Sequence, residues 1–134
     1  MKKIIIPIII LAGCSGTCKK NPFVERVYSI KVENNSSQWI NFFDNRVYPD
    51  TLLPAAKPYY GASRPNSYAY IDSKSDWPDV FARLPKDTLS IFILSSDTVN
   101  TFNWDIIRSQ YKILKRYDLS LQDLKNSNFT ITYP

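Results

Sequence analysis

Few side chains in this 134-residue chain could do chemistry, because it contains no histidine and only two cysteines. The lack of histidine excludes serine–histidine and cysteine–histidine catalysis, and also a zinc site of cysteine and histidine. Carboxylates remain, and Asp72, Asp76 and Asp79 lie close together in the sequence. Their spacing matches no calcium loop, so we interpret them as a solvated acidic surface. We therefore predict no enzymatic activity, no metal and no cofactor.

Cys14 is the residue whose sequence context most clearly indicates a chemical modification. It follows a positively charged start and an apolar run over residues 4–11, which at ~1.5 Å per residue spans roughly 12 Å and is too short to cross a bilayer. The pattern is typical of a signal peptide over residues 1–13. Leu11-Ala12-Gly13-Cys14 resembles a bacterial lipobox. This resemblance implies cleavage between Gly13 and Cys14 and a lipid such as palmitate on the Cys14 thiol.

The lipid would fix the mature protein to a membrane, because each buried methylene contributes about 0.8 kcal/mol and two or more chains anchor stably. We expect a lipidated tether over residues 14–26 and one globular domain over residues 27–134. Cys18 then has no intramolecular disulfide partner, and we interpret it as a free thiol in the tether. Without the two signal-peptide lysines the formal net charge falls from +5 to +3, and no clustered basic stripe indicates nucleic-acid binding.

The first part of the domain alternates apolar and polar residues in the way that predicts a strand. Tyr28, Ile30 and Val32 carry the apolar positions. Residues 34–37 have turn composition, and residues 39–43 resume with aromatic and branched side chains. We therefore expect the two strands to form a hairpin.

Four prolines within residues 45–67 predict an irregular connection, because proline donates no ladder hydrogen bond and disfavours helix. The leucine, tyrosine and alanine content of this stretch favours an ordered loop that packs over the domain. A short strand over residues 68–71 and a helical turn around residues 77–81 are expected to follow.

Residues 88–94 are the most apolar part of the mature chain and predict a central strand that is covered on both faces. The two faces carry Leu89, Ile91 and Ile93 on one side and Phe92 and Leu94 on the other.

The C-terminal part carries helix signals. Asn103 can cap a helix, and one face of that helix would carry Trp104, Ile107 and Tyr111. The following stretch, residues 113–119, favours a strand over a continued helix, in which Leu114 would also be buried.

Ser120-Leu121-Gln122-Asp123 reads as a variant capping box that starts a short helix, and residues 129–133 alternate as a terminal strand. Arg116 and Asp118 are two apart and are interpreted as a structural ion pair. Together the elements predict a single α+β domain with an antiparallel or mixed sheet and one or two short helices. A β-sandwich with a helical insertion is the alternative.

Three segments of the sequence resemble a known group of proteins when they are taken together. They are residues 87–93 (DTLSIFI), 116–124 (RYDLSLQDL) and 130–134 (TITYP). They resemble small uncharacterised lipoproteins of Bacteroides and related bacteria, which often end in a KRYDLSLxDL…TITYP segment. The resemblance covers roughly the C-terminal third of the chain and the lipobox. It implies a Gram-negative envelope protein and supplies no activity.

The same bacterial setting bears on modification and on location. Thr51, Thr88 and Thr98 each follow aspartate and precede an aliphatic residue, which resembles the O-glycosylation acceptor of these bacteria. Thr51 is the best candidate, and the alternative is that Asp-Thr simply begins strands and turns. Surface-exported lipoproteins of this group carry acidic residues just after the lipidated cysteine, whereas residues 15–20 are basic here. We therefore expect the periplasmic face of the outer membrane.

The leading prediction for function is a non-enzymatic envelope lipoprotein that acts through protein–protein contacts, for example as an accessory subunit. The alternative is a saccharide-binding module, because sugars stack on exposed aromatic rings and 14% of the residues are aromatic. Tyr59, Tyr60 and Trp77 would then form the saccharide platform. Most aromatic residues, however, occupy periodic positions that are typical of a core.

Overall fold

The computed structural model describes residues 26–134. This part of the chain contains seven strands in two sheets and four short helices. The strands are β1 (Tyr28–Asn34), β2 (Ile40–Asn45), β3 (Gly61–Ser63), β4 (Ser67–Ser73), β5 (Thr88–Ser95), β6 (Lys115–Ser120) and β7 (Thr130–Tyr133). The helices are α1 (Trp77–Phe81), α2 (Ser96–Thr101), α3 (Trp104–Ser109) and α4 (Leu121–Asn126). The predicted α+β class is confirmed, with four helices instead of one or two. The predicted signal peptide, Cys14 and Cys18 lie outside the described residues.

The smaller sheet has the order β4-β1-β7, with β1 antiparallel to β4 and parallel to β7. Ile30 lies opposite Ile71 in this sheet, and Val32 lies opposite both Ala69 and Ile131. These apolar side chains share one face and are packed in the core. The period-two alternation of the sequence therefore predicted β1 and its buried face correctly.

The larger sheet has the order β3-β2-β5-β6 and is antiparallel throughout. Strand β5 lies at its centre, and every residue from Leu89 to Leu94 is buried. Leu89, Ile91 and Ile93 enter one core cluster, and the alternate apolar residues enter another. The prediction of a central strand covered on both faces is confirmed.

Two core clusters result, one on each side of the larger sheet. The inner cluster lies between the two sheets and includes Ile30, Val32, Ile40, Phe42, Leu89, Ile91, Ile93 and Ile131. The outer cluster consists of Phe43, Leu53, Phe92, Leu94, Trp104 and Ile107. Each fully buried aliphatic side chain contributes about 1.5–3 kcal/mol relative to an exposed one, so these clusters supply the main stabilisation of the domain.

The predicted hairpin between the first two strands is wrong, because β1 and β2 belong to different sheets. Ile30 and Val32 on β1 and Ile40 and Phe42 on β2 all point into the inner cluster. Since both strands bury their apolar face against the same core, the chain passes from one layer to the other and does not pair with itself.

Asn34 holds this passage between the sheets in place. It is fully buried at the end of β1, and its Nδ2 donates to the carbonyl oxygens of Gln38 (2.8 Å), Ser63 (3.3 Å) and Arg64 (2.9 Å). Its Oδ1 accepts from the backbone N–H and the hydroxyl of Ser36. The chain changes sheet after β1 and again after β3, so this one amide joins both crossings.

The proline-rich connection packs over the domain as an ordered loop, as predicted, and contains the short strand β3. Trp104 Nε1 donates to the Pro54 carbonyl at 2.9 Å, and Arg108 Nε donates to the Leu53 carbonyl at 3.0 Å. Leu53 is buried in the outer cluster. Helix α3 and this loop therefore cover the outer face of the larger sheet.

Helix ends follow the capping signals of the sequence. Asp76 caps α1 and Asn103 caps α3, each by accepting from a backbone N–H three residues on. The capping box of α4 has both of its hydrogen bonds: the N–H of Asp123 donates to the Ser120 hydroxyl, and the N–H of Ser120 donates to the Asp123 carboxylate. None of the helices within residues 26–134 is long and apolar enough to cross a membrane.

Two helix details differ from the predictions. Helix α3 ends at Ser109, and Tyr111 beyond it has φ 50° and an exposed side chain, so its predicted place on the helix face is wrong. Helix α2 was not predicted, although Ser95 caps it by accepting from the N–H of Asp97. The expected strand after α3 is confirmed as β6.

Candidate functional site

The outer face of the smaller sheet carries exposed aromatic side chains. Tyr68 and Tyr70 are 54% and 50% exposed, and their ring centroids lie 5.6 Å apart in an edge-to-face arrangement. Lys31 Nζ lies 4.6 Å from the centroid of the Tyr68 ring, and Glu33 lies opposite Tyr68 in the register. We call the face made by these four residues the tyrosine face. It contrasts with the outer face of the larger sheet, which α3 and the proline-rich loop cover.

The charges on the tyrosine face compensate one another. Lys31 and Glu33 form an ion pair, and their hydrogen bond raises the pKa of Lys31 and lowers the pKa of Glu33. Thr132 Oγ1 also donates to Glu33 at 3.4 Å. Because both side chains remain about one-third exposed, solvent screens the pair and it contributes little to stability. Its effect is to hold the ammonium group against the Tyr68 ring.

A groove of about 280 Å³ lies beside the tyrosine face, where β4 passes close to β2 and β3. It is lined by Phe42, Phe43, Asp44, Tyr59, Gly61, Tyr70, Ile71 and Asp72. The proline-rich loop contributes Tyr59, which is 96% exposed. The groove thus combines two tyrosine rings and two carboxylates, supplied by two strands and one loop.

Each groove carboxylate is fixed by one hydrogen-bond donor. Asp44 Oδ2 accepts from Arg46 Nε at 2.9 Å, and Asp72 Oδ1 accepts from the Ser29 hydroxyl at 2.6 Å. Within residues 26–134, neither carboxylate hydrogen-bonds through its other oxygen. Both groups can therefore accept a hydrogen bond from a ligand.

Gly61 shapes the wall of the groove. A Cβ at this position would lie 2.3 Å from Cε2 of Phe42, which is a ring in the packed inner cluster. Any larger residue would displace that ring, so the close approach of β3 to β2 depends on glycine.

The predicted saccharide platform of Tyr59, Tyr60 and Trp77 is wrong. Trp77 is only 3% exposed and packs in the inner cluster. Tyr60 is half-buried against the rings of Phe43 and Trp104, and this burial raises its pKa. Of the three predicted residues, only Tyr59 presents an exposed ring.

The sequence interpretation missed Tyr68, Tyr70 and Asp44 as site residues. The sequence did carry a signal for Tyr68 and Tyr70. They occupy alternate positions with Asp72, so all three lie on the face of β4 opposite to that of the buried Ile71. A strand with tyrosines at its solvent positions indicates an exposed aromatic face. No local signal marks Asp44, because its neighbours in the groove are distant in sequence.

The structure separates the carboxylates that cluster in the sequence. Asp72 lines the groove, Asp76 caps α1, and Asp79 is exposed on the first turn of α1. No group of three or more metal-ligating side chains occurs in the described part of the chain.

The predicted ion pair of Arg116 and Asp118 is confirmed. Arg116 Nη2 lies 2.6 Å from Asp118 Oδ2, and Asp118 Oδ1 accepts from the Ser90 hydroxyl at 2.6 Å. The hydrogen bond to Asp118 raises the pKa of Arg116. Since Ser90 lies on β5, the pair ties β6 to the central strand and has a structural role.

The candidate O-glycosylation acceptors differ in their exposure. Thr51 is exposed in the proline-rich loop, and the N–H of Leu52 beside it donates to Asp50 Oδ1 at 2.9 Å. Thr88 and Thr98 are half-buried, and the Thr88 hydroxyl donates to the Lys86 carbonyl. Exposure therefore favours Thr51 among the three.

Comparison of this chain with protein families, curated proteins and solved structures found no match. The two candidate surfaces, the tyrosine face and the groove, are therefore interpreted from their own geometry and chemistry.

Proposed function

We propose that this chain is a lipid-anchored, non-enzymatic binding protein of the bacterial envelope that acts through a protein partner. The lipobox-like segment supports the anchor, with the lipid on Cys14. The similarity of the C-terminal third to Bacteroides-type lipoproteins supports the outer membrane. The segment 15–20, which carries Lys19 and Lys20 and no acidic residue, supports its periplasmic face.

The observation that carries the partner proposal is the tyrosine face. One sheet of the domain has its outer face covered by a helix and a loop, whereas the other leaves Tyr68 and Tyr70 exposed on a charge-compensated surface. Tyrosine is enriched in protein interfaces because its ring has an apolar body and a polar end. A partner that covers the rings would bury apolar surface and would leave no charge of the Lys31–Glu33 pair unpaired.

Crosslinking in native membranes tests this proposal. The full-length protein, Tyr68→Ser and Trp39→Ser are each crosslinked in membranes and purified, and the attached proteins are identified by mass spectrometry. Trp39 is an exposed aromatic residue outside the tyrosine face and serves as the matched control. We expect one partner to be recovered with the wild type and Trp39→Ser and to be strongly reduced with Tyr68→Ser. Equal recovery with all three proteins would rule out the tyrosine face as the docking surface.

The groove favours a second candidate function, saccharide binding. Its exposed Tyr59 ring and its two fixed carboxylates are the groups that sugar recognition uses. This candidate keeps Tyr59 of the predicted platform and replaces Tyr60 and Trp77 with Tyr70, Asp44 and Asp72.

Glycosylation of Thr51 stays a prediction. The intact mass of the native protein, compared with that of Thr51→Ala, tests it. A native mass equal to that of the lipidated polypeptide alone excludes the modification.

A further inference from the structure

We infer that the groove between Tyr59, Tyr70, Asp44 and Asp72 is a binding site for one neutral pyranose ring of a saccharide. The inference rests on the second candidate function above and is independent of the lipid anchor and of the protein partner. It assigns the two carboxylates as hydroxyl acceptors and the two tyrosine rings as stacking surfaces.

The size of the groove suits one sugar ring. Its volume of about 280 Å³ lies just below the range of roughly 300–1,000 Å³ that is typical of small-molecule sites. A single six-membered ring fits this space, whereas a longer ligand would have to continue beyond it. The groove is open to solvent beside the exposed Tyr59, so a saccharide chain can continue past the bound ring.

The carboxylates are suited to hydroxyl donors. Asp72 already accepts from the Ser29 hydroxyl at 2.6 Å, which is a typical distance for a charge-assisted O–H···O⁻ bond. Asp44 is held instead by a guanidinium N–H, that of Arg46 Nε at 2.9 Å. Because each carboxylate is fixed through one oxygen, the other can accept from a sugar hydroxyl at little further cost in side-chain entropy.

The two tyrosine rings provide apolar surface for the C–H groups of a sugar. Tyr70 is held by β4 and by its edge-to-face contact with Tyr68, so its ring is preorganised. Tyr59 is almost fully exposed. A sugar that covered the Tyr59 ring would remove apolar area from water at both surfaces.

A neutral sugar fits the groove better than a cationic ligand does. Arg46 already pairs with Asp44, so a cationic ligand would be attracted chiefly by Asp72 and would also meet repulsion from the guanidinium. An acidic sugar is disfavoured as well, because its carboxylate would face those of Asp44 and Asp72. The groove charges therefore disfavour an anionic ligand, and the second oxygen of each carboxylate can accept from a hydroxyl group.

Ligand-observed NMR titration of the full-length protein in detergent tests this inference. The probes are the methyl glycosides of glucose, galactose, mannose and N-acetylglucosamine, with methyl glucuronide as the acidic counterpart of the glucoside and arginine methyl ester as the cationic probe. We expect at least one neutral glycoside to bind, and the glucuronide to bind about tenfold more weakly than the glucoside or not at all.

Substitutions locate the sugar in the groove. We expect Tyr59→Ser and Asp72→Asn each to weaken glycoside binding by about tenfold. Trp39→Ser removes another exposed aromatic ring and Asp79→Asn another exposed carboxylate, both outside the groove, and both should leave the affinity unchanged.

The outcomes separate this inference from both candidate functions. If a glycoside binds and neither Tyr59→Ser nor Asp72→Asn weakens that binding, the groove is not the site, although the protein does bind a saccharide. Binding of arginine methyl ester alone, equal binding of glucoside and glucuronide, or no binding of any probe would overturn the inference itself. Crosslinking of the protein partner, measured on Tyr59→Ser, is expected to persist in every case.

Discussion

Asn34 shows how one buried side chain can decide the path of the chain. In the sequence it begins an Asn-Asn-Ser-Ser stretch that is typical of a hairpin turn. In the structure its amide bonds the backbone of two separate connections, and this replaces a local turn by a passage between sheets. A propensity rule sees only neighbours in sequence, so it could not distinguish these two uses of the same residue.

The amide nitrogen of Asn34 should be essential for stability. Asn34→Asp removes the donor and places a carboxylate against three carbonyl oxygens in a buried site. We expect a loss of about 3 kcal/mol in the free energy of unfolding. The same substitution at the exposed neighbour Asn35 should cost less than about 0.5 kcal/mol. Urea unfolding measures both, and equal effects would show that the buried amide has no special role.

Among the elements, β5 and the helices α3 and α4 were predictable because their signals are local. An apolar run on both faces requires cover on both sides, and the caps at Asn103 and Ser120 mark where helices begin. Strand pairing was not predictable, since β1 pairs with β7 about a hundred residues away in the chain. The groove depends on such distant pairings, so the sequence alone does not indicate that its residues lie together.

Shortening a buried side chain of strand β5 should strongly destabilise the domain. Ile91 is fully buried between the sheets, so Ile91→Ala leaves a cavity that neighbouring strands cannot fill. We expect a loss of about 3 kcal/mol in the free energy of unfolding. Leu52→Ala, at an exposed aliphatic position of the proline-rich loop, should cost less than about 0.5 kcal/mol. Thermal or urea denaturation provides the comparison, and similar losses at the two sites would argue against the core described above.

The capping box of α4 should make stability depend on pH. Hydrogen bonds from the Ser120 hydroxyl (2.6 Å) and backbone N–H (2.8 Å) lower the pKa of Asp123 below its ordinary value. Ionised Asp123 therefore stabilises the folded state above the pKa of the unfolded chain, and this contribution is lost as the pH falls through the lower pKa of the folded state.

Comparison of the wild type with Asp123→Asn measures this effect. The difference between their urea midpoints should be largest near about pH 7 and should shrink towards about pH 2. Gln122→Ala, a change on the same turn without an acidic group, should show a difference that does not depend on pH. A constant difference for Asp123→Asn would contradict the role of the ionised cap.

At the scale of the whole molecule, the fold leaves two candidate binding surfaces, one on the smaller sheet and one beside it. The tyrosine face and the groove share Tyr70, and the groove reaches the edge of the outer cluster at Phe43. In the proposed function, a lipid on Cys14 would hold the domain at the membrane and present both surfaces to other envelope components.

The measurement that tests the anchor most directly is the intact mass and N-terminal sequence of the mature protein purified from membranes, together with those of Cys14→Ser. We predict that the wild-type protein begins at Cys14, carries acyl chains there and sediments with the membrane fraction. We predict that Cys14→Ser retains its signal peptide and carries no lipid. A Cys14→Ser protein that is processed normally and still sediments with membranes would contradict the proposal of a lipid-anchored binding protein.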